Sequence, residues 1–387
     1  GRVAAPLDPD ADLAALAAAS DLDAVVADAG SVPDGVPAIG HDVVGDPPRR
    51  GADIPADRPV TLLFTSGTTG EPTPIVHAVG NHAAAAIVAA ERPGLGPDDR
   101  WYDPLGLHHA GGLMPVVRSA YAQVPVVLAP AVRLDGHLAA IQRHGATVAS
   151  VVPPMLERAL ADGEAVPEAL RCLLVGGAPL SDDLYARART AGVPVWPTYG
   201  LTETLGQVAT ATPAERDGRP GTSGRALAGV ELRVVADGDS PTADASGRIA
   251  IAAPTAAPDA TDADGWLRTR DRGRLDDDGY LYVEGRLDDA IRTGGELVWP
   301  APVAEVLEAH PDVREAAVVG LFDARWGEVV AAGVVGADDL DLEELEVHCR
   351  DRLDAHARPR HFVQLRALPR TASGTVDRDA LRERLAR

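Results

Sequence analysis

The sequence predicts an α/β protein, with a large multi-sheet N-terminal domain over residues 1–285 and a small C-terminal α/β domain over 286–387. Three observations predict it. Short apolar runs alternate with helical patterns between residues 60 and 200, the rhythm of βα units on a parallel or mixed sheet. Glycine-rich turns between residues 218 and 285 lead into closely spaced strands, a β-richer part of the same domain. Beyond residue 286 a second, shorter set of strands and helices begins, and 387 residues at 45% hydrophobic content can bury more than one core.

In chain order, residues 11–19 form an Ala/Leu helical pattern and 23–28 a short strand, before a polar, Pro-rich connection over 47–59. The apolar run 60–64 reads as a buried strand opening onto Thr65, Ser66, Gly67, Thr68, Thr69 and Gly70. Gly67 and Gly70 permit backbone angles closed to other residues and let the main chain approach a ligand. Hydroxyls and successive N–H groups there can form an anion-binding nest. The composition is that of a phosphate cradle; a polar turn after a strand is the alternative. It is not a Walker A loop, because the Gly-Lys-Ser/Thr ending is absent. Residues 81–90 are an Ala-rich helix. His108 and His109 then precede a glycine pair at a strand-to-helix junction, where a histidine lines an acyl pocket or is simply a satisfied loop side chain. Strands follow over 124–128, 147–152 and 170–175, with a helix over 134–144. The last strand ends at Gly176, Gly177 and Ala178, which invites a nucleotide at its carboxyl end or marks a plain turn.

The run Tyr199, Gly200, Leu201, Thr202, Glu203 combines an aromatic face suited to adenine, a hydroxyl suited to the α-phosphate and a hard oxygen ligand suited to Mg²⁺. Residues 247–252 form a strand, and the loops over 240–246 and 254–264 read as exposed. Asp271 offers a carboxylate that accepts two O–H donors, or a strand-side cap. Past the strand 280–283, the C-terminal unit has helices over 301–309 and 343–353 and strands over 313–319, 329–335 and 362–365.

In this order, the 65–70 loop, Tyr199–Glu203, the stretch around Asp271, the run from Arg286 to Gly295 and the Pro369-Arg370-Thr371-Ala372-Ser373-Gly374 segment resemble the adenylate-forming superfamily of acyl-CoA synthetases, luciferases and peptide-synthetase adenylation domains. The resemblance covers about residue 60 to the end. It implies that the 65–70 loop holds the β- and γ-phosphates of ATP and that His109 closes the carboxylate site. Backbone at Gly177 and Ala178, with Tyr199 and Gly200, would meet adenine; Thr202 the α-phosphate; Glu203 a Mg²⁺ ion. Asp271 would bind both ribose hydroxyls and Arg286 would make a further ribose contact. Asp288 would be the hinge on which the small domain swings between an adenylating and a thioester-forming state, with Gly294 and Gly295 against the pantetheine of CoA in the second. The implied reaction takes a small carboxylic acid and ATP to acyl-adenylate and pyrophosphate, and CoA then gives thioester and AMP. The runs around His109–Arg118 and Thr202–Gln207 are most similar to the branch that activates o-succinylbenzoate in menaquinone synthesis; another aryl or acyl acid is the alternative.

Three positions depart from that pattern. Lysine is expected at residues 73 and 375, and the chain has Thr73 and Thr375; glycine is expected at 270, and the chain has Arg270. Thr375 would stand where the family lysine bridges carboxylate and α-phosphate. Either Arg358, Arg370 or Arg378 replaces that cation, or cellular K⁺ or Mg²⁺ supplies part of the charge, or the protein is a weakened adenylate-binding relative.

The 36 basic residues are all arginine, against 58 acidic ones, for a net charge of −22. Such a charge argues against nucleic acid or an anionic membrane as partner. It suits adaptation to high salt, or follows from GC-rich codon usage. Two distant cysteines, Cys172 and Cys349, and no 18-residue apolar span fit a cytoplasmic protein without a disulfide framework. The phosphate loop lies close to Gly1, as if an N-terminal portion of the large domain were truncated or reduced; a homo-oligomer is left open.

Overall fold

The computed structural model describes residues 25–26, 38–39, 54–66, 72–129, 136–235, 246–338, 340–370 and 376–386. Gly67, Thr68, Thr69 and Gly70 of the phosphate loop, Thr375, and the helical pattern over 11–19 lie outside the described residues.

Among the described residues, eleven strands join in one sheet. Five of them are parallel, in spatial order Val126–Leu128, Trp101–Asp103, Val148–Val151, Cys172–Val175 and Val195–Leu201. Val148–Val151 and Cys172–Val175 are buried along their whole length, as strands covered on both faces must be. Helices His137–His144, Pro153–Ala161 and Asp182–Thr190 cover this half, and their apolar sides join the strands in a core of Leu138, Ile141, Leu156, Leu173 and Val195. Fully burying one such side chain contributes about 1.5–3 kcal/mol. The helix Asp182–Thr190 starts where Ser181 accepts a hydrogen bond from the Leu184 amide; acidic residues in its first turn and arginines in its last match the helix dipole.

The sheet changes sense at Val195–Leu201. Gly206–Thr210 pairs back antiparallel, and Gly224–Ala226, Tyr280–Arg286, Leu267–Leu275, Gly247–Ala252 and Glu231–Val235 extend the sheet from there. The reversal puts Leu205 in the left-handed region at φ 54°. Gly200 lies against it: a Cβ there would stand 1.9 Å from the Gly206 carbonyl oxygen. A separate hairpin pairs Pro59–Ser66 with Pro72–Ala78.

A five-stranded sheet follows the one-turn helix Leu287–Asp289. Val313–Asp323 and Gly327–Gly336 form its long hairpin, and His361–Gln364 lies parallel to the second of these. The helices Pro300–Glu308 and Leu342–Arg352 pack on it around Val303, Leu307, Val318, Val330 and Leu345. Gly294 and Gly295, at φ 60° and 90°, make the two-residue turn between Ile291–Thr293 and Glu296–Val298. A tight hairpin of this hand needs positive φ at both central positions, and glycine adopts it without strain.

One expectation is corrected. The loop over 254–264 is not exposed throughout, because Thr255, Ala256 and Ala257 are buried. Asn81, on the helix Val79–Glu91, holds it: the side-chain amide donates to the carbonyls of Pro254 at 3.0 Å and Ala256 at 2.9 Å.

Candidate functional site

The parallel strands deliver the site. Val175 pairs with Pro197, so the chain leaves the sheet at Gly176 beside Thr198. A Cβ at Gly176 would come within 2.7 Å of the Thr198 methyl, and Gly177 turns away with φ 76°. Gly177, Ala178, Tyr199 and Gly200 therefore gather at the carboxyl ends of adjacent strands, where the sheet changes sense. That is the place an open α/β sheet offers to a ligand.

Tyr199, Asp271 and Arg286 form one connected group. The Tyr199 hydroxyl donates to Asp271 Oδ2 at 2.7 Å, and Arg286 Nε lies 3.6 Å from Oδ1. Strand register explains the contact, since Asp271 and Arg286 are cross-strand partners. Tyr199 and Asp271 are both buried. Burial lifts the Asp271 carboxyl above its ordinary range, against the pull of the Tyr199 hydroxyl and the Arg286 charge. Burial and the Asp271 charge push the Tyr199 phenol well up, so it keeps its proton and donates. A carboxylate held this way has further lone pairs for hydroxyl donors.

Past Leu201 the chain makes the one-turn helix Thr202–Thr204. Four hydrogen bonds fix it. Thr204 Oγ1 accepts from the Leu201 amide at 3.1 Å and donates to the Gly206 carbonyl at 2.8 Å. The Ala257 amide donates to the Glu203 carbonyl at 2.8 Å. His77 Nε2–H donates to the Thr202 carbonyl at 2.9 Å. Glu203 is half-buried on this turn. Among the described residues no group of three or more His, Cys, Asp or Glu side chains could hold a metal on its own. A cation at this turn would take Glu203 as one carboxylate ligand and its other oxygens from phosphate and water, a donor set that fits Mg²⁺.

His77 is fully buried, and burial pushes its imidazole down to about 4 despite the bond to Thr202. The unfolded chain binds that proton near 6.5, so between the two values the unfolded state carries more protons. Stability therefore rises with pH across this window and is lost as pH falls through it, by about 3 kcal/mol in full. We expect urea titrations to show that acid limb, and His77→Gln, which keeps a donor but cannot titrate, to flatten it. An unchanged limb in the variant would assign the acid sensitivity elsewhere.

His109 is the exposed residue that begins the helix Ala110–Ala122, with its ring 4.1 Å from that of His108. Further along the same helix Arg118 is buried. Its Nη1 donates to Gln207 Oε1 at 2.6 Å; Gln207 Nε2 donates to Thr210 Oγ1 at 3.0 Å. Burial pushes the Arg118 guanidinium down to about 9 and the Asp103 carboxyl up to about 7, and each charge partly offsets the other's shift. Arg118 Nε and Asp103 Oδ2 have no hydrogen-bond partner among the described residues.

Other expected residues stand apart. Gly294 and Gly295 belong to the five-stranded sheet, where a Cβ on Gly294 would meet the Trp326 ring at 2.7 Å. The Thr73 carbonyl accepts from Thr65 Oγ1 at 3.4 Å across the hairpin. Of the three candidate substitute cations, Arg358 donates to the carbonyls of Leu353 and Arg350, both at 2.9 Å, and Arg370 pairs with Glu315 at 3.0 Å. Arg378 pairs with Asp289, at the turn between the sheets, at 3.1 Å. His77 and Asn81, which hold the Thr202–Thr204 turn and the loop behind it, were missed by sequence reasoning. Their one local signal is a polar side chain interrupting an apolar run.

The profile of AMP-binding enzymes matches residues 5–258, and that of the AMP-binding enzyme C-terminal domain matches residues 303–375. A 2-succinylbenzoate–CoA ligase of Bacillus velezensis is 38% identical over 341 residues, covering 86% of this chain and 70% of the relative. An o-succinylbenzoate coenzyme A synthetase from Bacillus subtilis, solved with ATP and magnesium ion, superposes with a TM-score of 0.79 at 34% identity, over 91% of this chain and 76% of that one. A double mutant of that synthetase bound to the product analogue OSB-NCoA gives 0.60 at 36% identity, over 86% and 71%.

Proposed function

The chain belongs to the AMP-binding enzyme family, and from that premise we propose that it is an acid–CoA ligase acting on o-succinylbenzoate. The observation that carries the nucleotide half is the Tyr199–Asp271–Arg286 group beside the Thr202–Thr204 turn, at the switch point of the sheet. In this reading adenine lies against Tyr199, Gly200, Gly177 and Ala178, and Asp271 and Arg286 take the ribose hydroxyls. Thr202 and Glu203 serve the α-phosphate and Mg²⁺, and residues 65–70 the outer phosphates. A substrate carboxylate oxygen attacks the α-phosphorus, the P–O bond to pyrophosphate breaks, and acyl-adenylate forms. The thiol of CoA then attacks the acyl carbon and AMP leaves. Likeness to the 2-succinylbenzoate–CoA ligases supports the choice of acid. So does Arg118, a buried cation behind the His109 junction whose Nε has no hydrogen-bond partner among the described residues, suited to an acid with a second carboxylate. We place the domain boundary at residue 286, where one sheet ends and the hinge turn begins, with Gly294 and Gly295 meeting pantetheine after the swing.

Thr375 brings no positive charge to the position of the family lysine, and losing one preorganised donor costs about 10²–10³-fold in rate. Arg378 is the candidate cation placed at the hinge. The test is pyrophosphate release with ATP, Mg²⁺, CoA and o-succinylbenzoate in about 2–4 M KCl, a medium that screens the acidic surface. Benzoate and fatty acids are the controls. We expect release specific to o-succinylbenzoate. No release with any acid, together with tight binding of an acyl-adenylate mimic, would replace the ligase by a weakened adenylate-binding relative.

A further inference from the structure

The turn between the two sheets is gripped from both sides. Leu287–Asp289 carries two adjacent carboxylates. Arg270, on the strand Leu267–Leu275, meets Asp288 with two bonds, Nε to Oδ2 at 2.6 Å and Nη2 to Oδ1 at 2.9 Å. Arg286 Nη2 stands 3.9 Å from the same carboxylate. Arg378, at the start of the helix Arg378–Leu385, meets Asp289 and donates to the Val318 carbonyl at 3.2 Å. Arg270 occupies the position where the adenylate-forming pattern carries glycine, which has no side chain to make this contact.

We propose that Arg270 is a positioning residue that latches the Asp288 turn and favours the adenylate-forming arrangement of the two domains over the thioester-forming one. The proposal rests on the ligase reading above. A swing at the turn requires large φ/ψ changes at a few positions. A guanidinium fork bound to both carboxylate oxygens fixes the orientation of Asp288 as a single bond would not. This chain differs less from the ATP complex of the Bacillus subtilis synthetase than from the product-analogue complex, and the Arg270–Asp288 pair belongs to the arrangement seen here. Both side chains are partly exposed, at 49% and 38%, so the latch is weak and screened by salt.

The test compares the full chain with Arg270→Ala and Arg270→Lys. Amide hydrogen exchange of the peptide spanning residues 285–290 is read without substrate, at low salt and in molar KCl. ATP–pyrophosphate exchange and single-turnover thioester formation from acyl-adenylate and CoA are measured separately. Arg270→Ala should speed both hinge exchange and the thioester step by about two- to fivefold at low salt, and leave ATP–pyrophosphate exchange within about twofold. The difference should fade as KCl rises, and Arg270→Lys, which keeps the charge but not the fork, should fall between. Unchanged hinge exchange at low salt would overturn the latch, as would faster exchange with an unaltered balance of the two half-reactions. If no pyrophosphate is released with o-succinylbenzoate, the proposed function fails, and hinge exchange alone then decides the latch.

Discussion

Glu203→Gln should lower kcat for pyrophosphate release by about 10²–10³-fold, the usual cost of losing one preorganised group that acts on charge in the transition state. The reason is local. The backbone of the turn is held independently of the Glu203 carboxylate, by Thr204 on its neighbours, Ala257 on the Glu203 carbonyl and His77 on the Thr202 carbonyl. Glutamine therefore keeps the turn while removing the negative charge that, in the proposed function, binds a hard cation. Stability should move by no more than about 0.5 kcal/mol, as for a substitution that breaks no buried contact. Steady-state kinetics across a Mg²⁺ titration, alongside urea unfolding, separates the two quantities. A variant that keeps kcat within about threefold would remove Glu203 from the metal site.

Arg118→Leu should destabilise the fold by about 3–5 kcal/mol, since removing one member of a buried charged group leaves its counterpart uncompensated. The counterpart is Asp103, which is 1% exposed and already has one oxygen without a partner among the described residues. Gln207 loses its donor as well. The deficit should shrink as pH falls toward about 7, where the Asp103 carboxyl takes up a proton with Arg118 in place; without that charge it protonates at higher pH, and the uncompensated charge disappears. Adding Asp103→Asn should recover part of the loss at pH 8. A deficit independent of pH, with no recovery in the double variant, would show that Arg118 and Asp103 are not coupled.

Much of this arrangement was legible in the sequence because it is written locally. The parallel strands are apolar runs between helical patterns, and Tyr199 to Glu203 is a contiguous motif on one strand and the turn after it. Asp271 and Arg286 are fifteen residues apart in the chain, yet both fell inside recognisable motifs and the hairpin register brought them together. What sequence could not give are contacts whose partners are distant and whose local context is bland. Asn81 reaches the carbonyls of Pro254 and Ala256 from an alanine-rich, mostly apolar helix, and this is why a loop of Ala, Thr and Pro that reads as exposed is buried at Thr255, Ala256 and Ala257. His77 sits near the end of a strand, after Ile75 and Val76, where nothing local but its polarity marks it, and its role depends on a carbonyl at residue 202. Arg270 looked like a departure from a pattern; its pairing with Asp288 depends on strand packing that brings the Leu287–Asp289 turn beside it.

The position of Tyr280–Arg286 within the large sheet has a bearing on biosynthesis. Along the described sheet path this strand lies between Gly224–Ala226 and Leu267–Leu275, so it alone connects the outer strands of residues 231–275 to the parallel half. A chain emerging from the ribosome can pair its parallel strands early, but the outer strands have nowhere to dock until residue 286 is out. They would meanwhile expose an unpaired edge, the surface most prone to wrong association. The last strand made is thus the keystone of the large sheet, and the Leu287–Asp289 turn begins at the next residue. Nascent chains arrested shortly before residue 280 should be open to proteolysis across 231–275, and chains arrested after residue 286 has cleared the exit tunnel should be protected there.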